Sequence, residues 1–401
     1  LCEDEWQAHW IANGDDADLD SVTVKSKYNL RPGSLFRKEF HVPREIHRAR
    51  AYISGLGYYE LRINGNRIGD KVLDPGQTDY DKTVLYSTYD ITDAIHCGAN
   101  ALGVMLGNGR YCSFRWHGDG LFGYDKFPCL RAELHIKYTD GSDEKITTDG
   151  TWQVTRGPIG INGIFYGEVY DARKEIPHWD EPHLDDCKWS TAVTVPAPGG
   201  TMRAQIMPAI KVTKHFPPTR ISNPDPGVYI YDLGQNITGW ARLKVEGPRG
   251  TTVKMRFAEV LDSEGRLETR INRDAEATDT YILKGEGIEI YEPRFTYHGF
   301  RYVEVTGFPG TPGLDNLEGC FIHTAVEHTG SFSSSNSLFN NIHQNVVYGQ
   351  LANLMSVPTD CPQRDERMGW MGDAQLVAEE SIYNFDMAAF FVKYLQDIKD
   401  A

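Results

Sequence analysis

The chain has 401 residues, 40% of them hydrophobic and 24% charged, and a formal net charge of −15. That length exceeds one ordinary hydrophobic core and predicts two or three domains, with the composition of a globular protein rather than a disordered one. The acidic balance excludes the basic surface that nucleic acid requires, and no run of roughly eighteen apolar residues is present to form a membrane-spanning helix.

Residues 35–155 read as all-β. Ala51-Tyr-Ile-Ser and Tyr59-Glu-Leu-Arg-Ile are short strand-like runs, and Ile63-Asn-Gly-Asn-Arg-Ile carries the Asn-Gly signal of a tight hairpin. Ala101-Leu-Gly-Val-Met-Leu, bounded by glycines, predicts a strand buried on both faces. Leu134-His-Ile-Lys-Tyr alternates in period two and ends in the turn Thr139-Asp-Gly-Ser. Many short strands separated by turns imply a β-sandwich. Proline clusters near 196–198 and 217–226 then mark a boundary. A second β-rich unit follows at roughly 215–325. In it Ala241-Arg-Leu-Lys-Val-Glu and Val253-Lys-Met-Arg-Phe alternate around the turn Gly247-Pro-Arg-Gly, and Arg301-Tyr-Val-Glu-Val-Thr-Gly closes the set.

After Gly330 the period changes. Asn336 is a predicted N-cap, and Leu338, Phe339, Ile342, Val346, Leu351 and Leu354 recur at helical spacing. Asp386 is expected to cap a further helix with a broad apolar stripe of Met387, Phe390, Phe391, Tyr394, Leu395 and Ile398. A stripe that wide needs other helices to pack against, which predicts a larger helical domain cut short at Ala401. The expected domains are therefore 1–214, 215–327 and 328–401.

Between those helices lies the densest chemistry in the chain. Within residues 360–373 stand four carboxylates (Asp360, Asp365, Glu366, Asp373), two arginines (Arg364, Arg367) and Trp370. Pro358 and Pro362 bar a regular helix through Asp360, so the block begins as a loop; a helix is expected to start near Gly369 to Asp373 and run through Leu376 and Ile382. Glycoside hydrolysis needs one protonated carboxyl for the leaving oxygen and a second as base or nucleophile. Glu366, flanked by like charges that favour its protonated form, is placed to be the acid. Trp370 offers an apolar face to a sugar ring, and Asp360, Asp373 and Arg364 offer bonds to its hydroxyls. The competing reading is a solvated cluster in which Arg364 and Arg367 merely pair the acids.

The remaining motifs carry less. Seven cysteines, Cys2, Cys97, Cys112, Cys129, Cys187, Cys320 and Cys361, are odd in number and widely separated, which favours free thiols. Cys361 as a nucleophile is disfavoured, because flanking carboxylates raise a thiol's pKa. His298 reads as a packing or hydrogen-bonding residue, and no histidine pair has metal-ligand spacing on a helix. Asp70, Asp74, Asp79 and Asp81 around a Pro-Gly turn lack the glycine-centred loop of a calcium site and read as solvated hairpin charge. Gly107-Asn-Gly-Arg-Tyr is not a phosphate loop, since no Gly-Lys-Ser/Thr follows. Trp116, Tyr124 and Phe127 fit core positions better than a sugar-binding surface. No cofactor or metal is expected.

The block Asp360-Cys-Pro-Gln-Arg-Asp-Glu-Arg-Met-Gly-Trp-Met-Gly-Asp-Ala-Gln closely resembles the signature of bacterial α-L-rhamnosidases, glycoside hydrolase family 78. Gly57-Tyr-Tyr-Glu-Leu-Arg-Ile-Asn-Gly, Leu73-Asp-Pro-Gly-Gln-Thr-Asp-Tyr, Gly107-Asn-Gly-Arg-Tyr and Tyr170-Asp-Ala-Arg resemble that family's N-terminal β-sandwich. Tyr231-Asp-Leu-Gly-Gln-Asn-Ile-Thr-Gly-Trp and Tyr297-His-Gly-Phe-Arg-Tyr resemble its second β-domain. The resemblance implies two antiparallel β-sandwich domains followed by the first helices of an (α/α)6 barrel. It implies an inverting hydrolase of terminal α-L-rhamnose, acting on oligosaccharides, polysaccharides or plant glycosides. Glu366 then falls on the general acid, Asp360, Trp370 and Asp373 on rhamnose contacts, and Arg364 on a weaker contact. The general base is expected later in the barrel; Glu379 and Glu380 lie too near Glu366 in sequence to match it. The alternatives are a non-catalytic carbohydrate-binding protein and a helical-barrel glycosidase of other sugar preference. Self-association and cellular compartment stay open, since Leu1-Cys-Glu-Asp-Glu-Trp has no leader character and fits either a cytoplasmic protein or an exported one with its leader removed.

Overall fold

The computed structural model describes residues 1, 5–17, 30–112, 114–117, 120–123 and 126–401, the side chains of 114–117 and 120–123 excepted. Cys2, Tyr124 and the side chain of Trp116 lie outside the described residues. The last two residues aside, the contacts group the chain into two compact units, one of 1–163 and 174–205, the other of 164–173 and 206–399. The strand Ile210–Phe216 runs through residue 214, where the sequence reading sets a boundary, and pairs with Leu317–Thr324 in the second unit. The change of period after Gly330 marks a change from strand to helix inside that same unit.

The first unit is built on two sheets that share a core. One runs Val193–Thr194, Ile11–Ala12, Cys129–Tyr138, Ile46–Leu56, Thr83–Asp90, Thr201–Ala204, with Asp143–Thr147 also beside Cys129–Tyr138. The other runs Ser190–Thr191, Gln153–Arg156, Ser34–Val42, Gly98–Gly107, Tyr58–Ile63, Asn66–Arg67. Ile53, Leu130 and Leu134 from the first meet Phe36, Leu61 and Val104 from the second, so the alternating pattern of each strand turns its apolar side inward. Gly98–Gly107 is buried from Asn100 onward, because Trp179 and Asp180 cover the face turned away from that core. The hairpin forms at Asn64-Gly65, both with positive φ (49° and 80°), which pairs Ile63 with Asn66. Asp74 is buried and accepts from the Tyr59 hydroxyl (2.6 Å) and the Gln205 amide (3.0 Å), while Asp79 accepts from the Asp81 N–H across a turn. Phe127 packs at the edge of a core cluster, as expected.

In the second unit the strands join in one continuous sheet rather than two separate ones. Its order is Gly167–Asp171, Thr278–Ile282, Thr252–Ala258, His298–Thr306, Val228–Glu246, Leu317–Thr324, Ile210–Phe216. The long strand Val228–Glu246 changes register between Asp232 and Ile237, and this break lets it serve several neighbours in turn. Three helices follow: α1 (Ser337–Ala352), α2 (Met371–Asn384) and α3 (Ala388–Asp400). The Asn336 side chain accepts from the Leu338 N–H (2.9 Å) and caps α1; Asp386 accepts from Ala388 N–H (3.1 Å) at the start of α3. The apolar stripe expected from Leu338 to Leu354 is buried at only two of its six positions. Leu351 and Leu354 are buried, but Leu338, Phe339, Ile342 and Val346 are exposed, as are Leu376 and Ile382 on α2 and Leu395 on α3.

Candidate active site

The segment between α1 and α2 is irregular, as Pro358 and Pro362 require, and it is tied down at both ends. Lys393 of α3, buried, donates to the Ser356 carbonyl (3.0 Å) and pairs with Asp397 (2.6 Å); its pKa is lowered by burial, against the pull of Asp397. Thr359 and Gly369 form an antiparallel bridge, closed by Asp360 N–H to Met368 O (3.0 Å) and Met368 N–H to Asp360 Oδ1 (2.9 Å). Asp360 therefore shapes the loop as well as facing it.

Arg367 does most of the anchoring. It is fully buried, with φ at 53°, and its guanidinium donates to the carbonyls of Gln363 (3.0 Å), Arg364 (3.0 Å), Ile164 (2.8 Å) and Tyr297 (2.6 Å). It also lies over the rings of Tyr297 (4.8 Å) and Phe165 (5.4 Å). The idea that Arg367 pairs the acids gives way to a different role: a planar five-donor fork suits several main-chain carbonyls at once. Sequence reading missed this, because nothing local tells an inward arginine from an outward one.

Three of the predicted residues come together. Arg364 donates from Nη2 to Asp360 Oδ2 (3.0 Å) and from Nε to Glu366 Oε2 (3.0 Å). Arg273, ninety-three residues away in sequence, donates from Nη1 to the same Glu366 Oε2 (3.0 Å). Glu366 thus meets Asp360 at close range, as expected, but with two cations placed against it, one of which the sequence did not reveal. Trp370 and Asp373 are exposed at the start of α2, Trp370 at 42%, and no hydrogen bond or ion pair among the described residues joins them to Glu366.

Cys361 is buried beside these groups, and burial first, then the neighbouring Asp360, pushes its thiol up to about 12. That leaves it protonated and inert as a nucleophile. Ligand atoms of Asp360, Cys361 and Glu366 lie within 4.8 Å of one another, but Arg364 already bridges the two carboxylates.

Beneath the loop is a second polar cluster. Glu168 accepts from the Tyr291 hydroxyl (3.1 Å) and the Arg294 N–H (3.0 Å), and its own N–H donates to Asp279 Oδ1 (2.9 Å). His298 stacks on Phe257 (4.1 Å) and bonds Asp279 Oδ2 through Nε2 (3.1 Å), the hydrogen-bonding and packing role expected of it. Burial, then the charge of Asp279, raises Glu168 to about 8.

Comparison with known proteins follows the same segments. Residues 44–214 match the α-L-rhamnosidase N-terminal domain, 222–323 the bacterial α-L-rhamnosidase concanavalin-like domain, and 327–401 the bacterial α-L-rhamnosidase six-hairpin glycosidase domain. The chain belongs to the bacterial α-L-rhamnosidase family. An α-L-rhamnosidase of Streptomyces avermitilis is 44% identical over 373 residues, 91% of this chain and 36% of that protein. Among solved structures of the family, the α-L-rhamnosidase of Dictyoglumus thermophilum superposes with a TM-score of 0.93 at 50% identity, covering 100% of this chain and 45% of its own. The Streptomyces avermitilis α-L-rhamnosidase complexed with L-rhamnose gives 0.89 at 43% identity, covering 93% and 36%. The chain spans less than half the length of these relatives.

Proposed function

We propose that the chain is the N-terminal part of an inverting α-L-rhamnosidase, with Glu366 as general acid. In this reading the two β-rich parts of the chain precede the opening helices of an (α/α)6 barrel at 328–401. The apolar rows left exposed on α1 to α3 support it, as side chains that further helices of the barrel would cover. Glu366 gives a proton to the glycosidic oxygen while a water attacks the anomeric carbon from the other side. The carboxylate that activates this water is assigned to the length of the relatives that the present chain does not span. Asp360 and Arg364 hold ring hydroxyls, Asp373 adds another contact, and the exposed Trp370 ring supports the apolar side of the deoxy-sugar. The observation that carries the reading is the convergence of Asp360, Arg364 and Glu366 on one anchored loop.

Replacing Glu366→Gln in the full-length enzyme should lower turnover of a phenyl α-L-rhamnoside by about 10²–10⁴-fold, with the product released as the inverted anomer by NMR. Turnover close to wild type would remove Glu366 from the acid role. A second reading, a carbohydrate-binding protein without hydrolysis, draws on the contact of Glu366 with two guanidinium groups. Rhamnose binding with no turnover in the full-length wild type would select it.

A further inference from the structure

Arg273 reaches Glu366 from the β-rich part of the second unit, on the loop between Thr252–Ala258 and Thr278–Ile282. It follows a short 3-10 turn, Arg270–Asn272, held by the buried Asn272 amide on the Phe257 carbonyl (3.0 Å). Its backbone sits at φ 53° and ψ −118°, a positive-φ conformation that costs a non-glycine residue energy and persists where the surroundings enforce it. The loop is thus shaped to send this side chain toward the acid.

The two carboxylate oxygens of Glu366 are engaged unequally. Arg273 and Arg364 both donate to Oε2, each at 3.0 Å, and among the described residues no hydrogen bond engages Oε1. An oxygen receiving two N–H donors has no lone pair free to hold a proton in the same plane. We propose that Arg273 is a positioning residue for Glu366, fixing Oε2 with Arg364 so that the transferable proton rides on Oε1 and faces the glycosidic oxygen. This rests on Glu366 being the general acid. As the bond from the anomeric carbon to that oxygen breaks, the Oε1 proton moves to the leaving oxygen, and a water oxygen bonds the carbon and loses its own proton to the base carboxylate. The negative charge left on Glu366 is met at Oε2 by guanidinium groups already in place, so they stabilise the state reached after transfer more than the state before it.

The test uses the full-length enzyme and two substrates, phenyl α-L-rhamnoside, whose leaving group needs a proton, and 2,4-dinitrophenyl α-L-rhamnoside, whose leaving group does not. Arg273→Ala should lower kcat on the phenyl substrate by about 10–100-fold, a fraction of what general acid catalysis supplies. KM should stay within about twofold, and the dinitrophenyl substrate should lose less than about threefold. Added guanidinium chloride at low millimolar concentration should restore part of the phenyl activity, and Arg273→Lys should fall between the alanine variant and wild type. Equal losses on both substrates, or a rise in KM alone, would overturn the proposal. Arg273→Gln, read the same way, replaces the alanine variant if that one unfolds. The Glu366→Gln control separates the two ideas: if it shows no dependence on leaving group, the acid assignment fails; if it does and Arg273→Ala does not, the positioning role fails.

Discussion

Two acid clusters flank the stretch Tyr297–Gly299 and are built by opposite means. Below it, Glu168 and Asp279 are fully buried, and Glu168 is met by a phenol, a peptide N–H and another acid. Above it, Asp360 and Glu366 keep a little exposure, 4% and 15% of the side chain, and are met by Arg364 and Arg273. Burial and the charge of Asp279 keep a proton on Glu168 against the pull of its donors, and this couples the fold to pH. Guanidinium partners near the surface instead orient a carboxyl and answer its charge. The lower cluster is an element of stability, and the upper one is arranged for chemistry.

Removing the tie between them should produce the largest effect. Arg367→Ala leaves four carbonyls without their donor, and denaturant unfolding should show a loss of about 3–5 kcal/mol together with loss of activity. Arg367→Lys should recover less than half, since an ammonium cannot serve that fork of acceptors. A variant within about 1 kcal/mol of wild type would mean the loop is held by other contacts.

The lower cluster should be read through pH. Glu168 has its pKa raised from 4.5 to about 8, so above the ordinary carboxylate range the folded state binds more protons than the unfolded one. Its contribution is complete below about pH 4.5 and is lost as pH rises through about 8. Glu168→Gln should flatten that alkaline decline, by a few kcal/mol at most on the order of the shift, in unfolding curves taken from pH 5 to 9. An unchanged slope would show that Glu168 does not carry the linkage.

A smaller effect probes the seam. A Cβ on Gly299 would stand 2.7 Å from Pro362 Cγ and 2.9 Å from Gln363 N. Gly299→Ala should cost about 1–3 kcal/mol and lower activity by moving the loop, with the Glu168 pH dependence retained. Smallest of all, Asn336→Ala removes the α1 cap for about 1 kcal/mol and should add independently to each of the other changes. Strong coupling with Arg367→Ala in a double-mutant cycle would show that α1 and the loop unfold together.

What the sequence alone determined was whatever depends on near neighbours. The Asn64-Gly65 turn, the Asn336 cap, the alternation of Leu134 to Tyr138 and the proline-enforced loop at 358–362 all follow from local backbone chemistry, and each stands where it was read. The acidic block was legible too, because Asp360, Arg364 and Glu366 lie within one loop's reach of each other. Tertiary structure alone decided which partners those charges take. Nothing near residue 366 announces Arg273, nothing at Arg367 says it will face four carbonyls, and the joining of all second-unit strands in one sheet depends on pairings between distant segments. Helical spacing likewise named Leu338, Phe339, Ile342 and Val346 as one face but not what that face meets. A periodic pattern fixes direction along a helix; only the arrangement of the whole chain fixes what stands opposite.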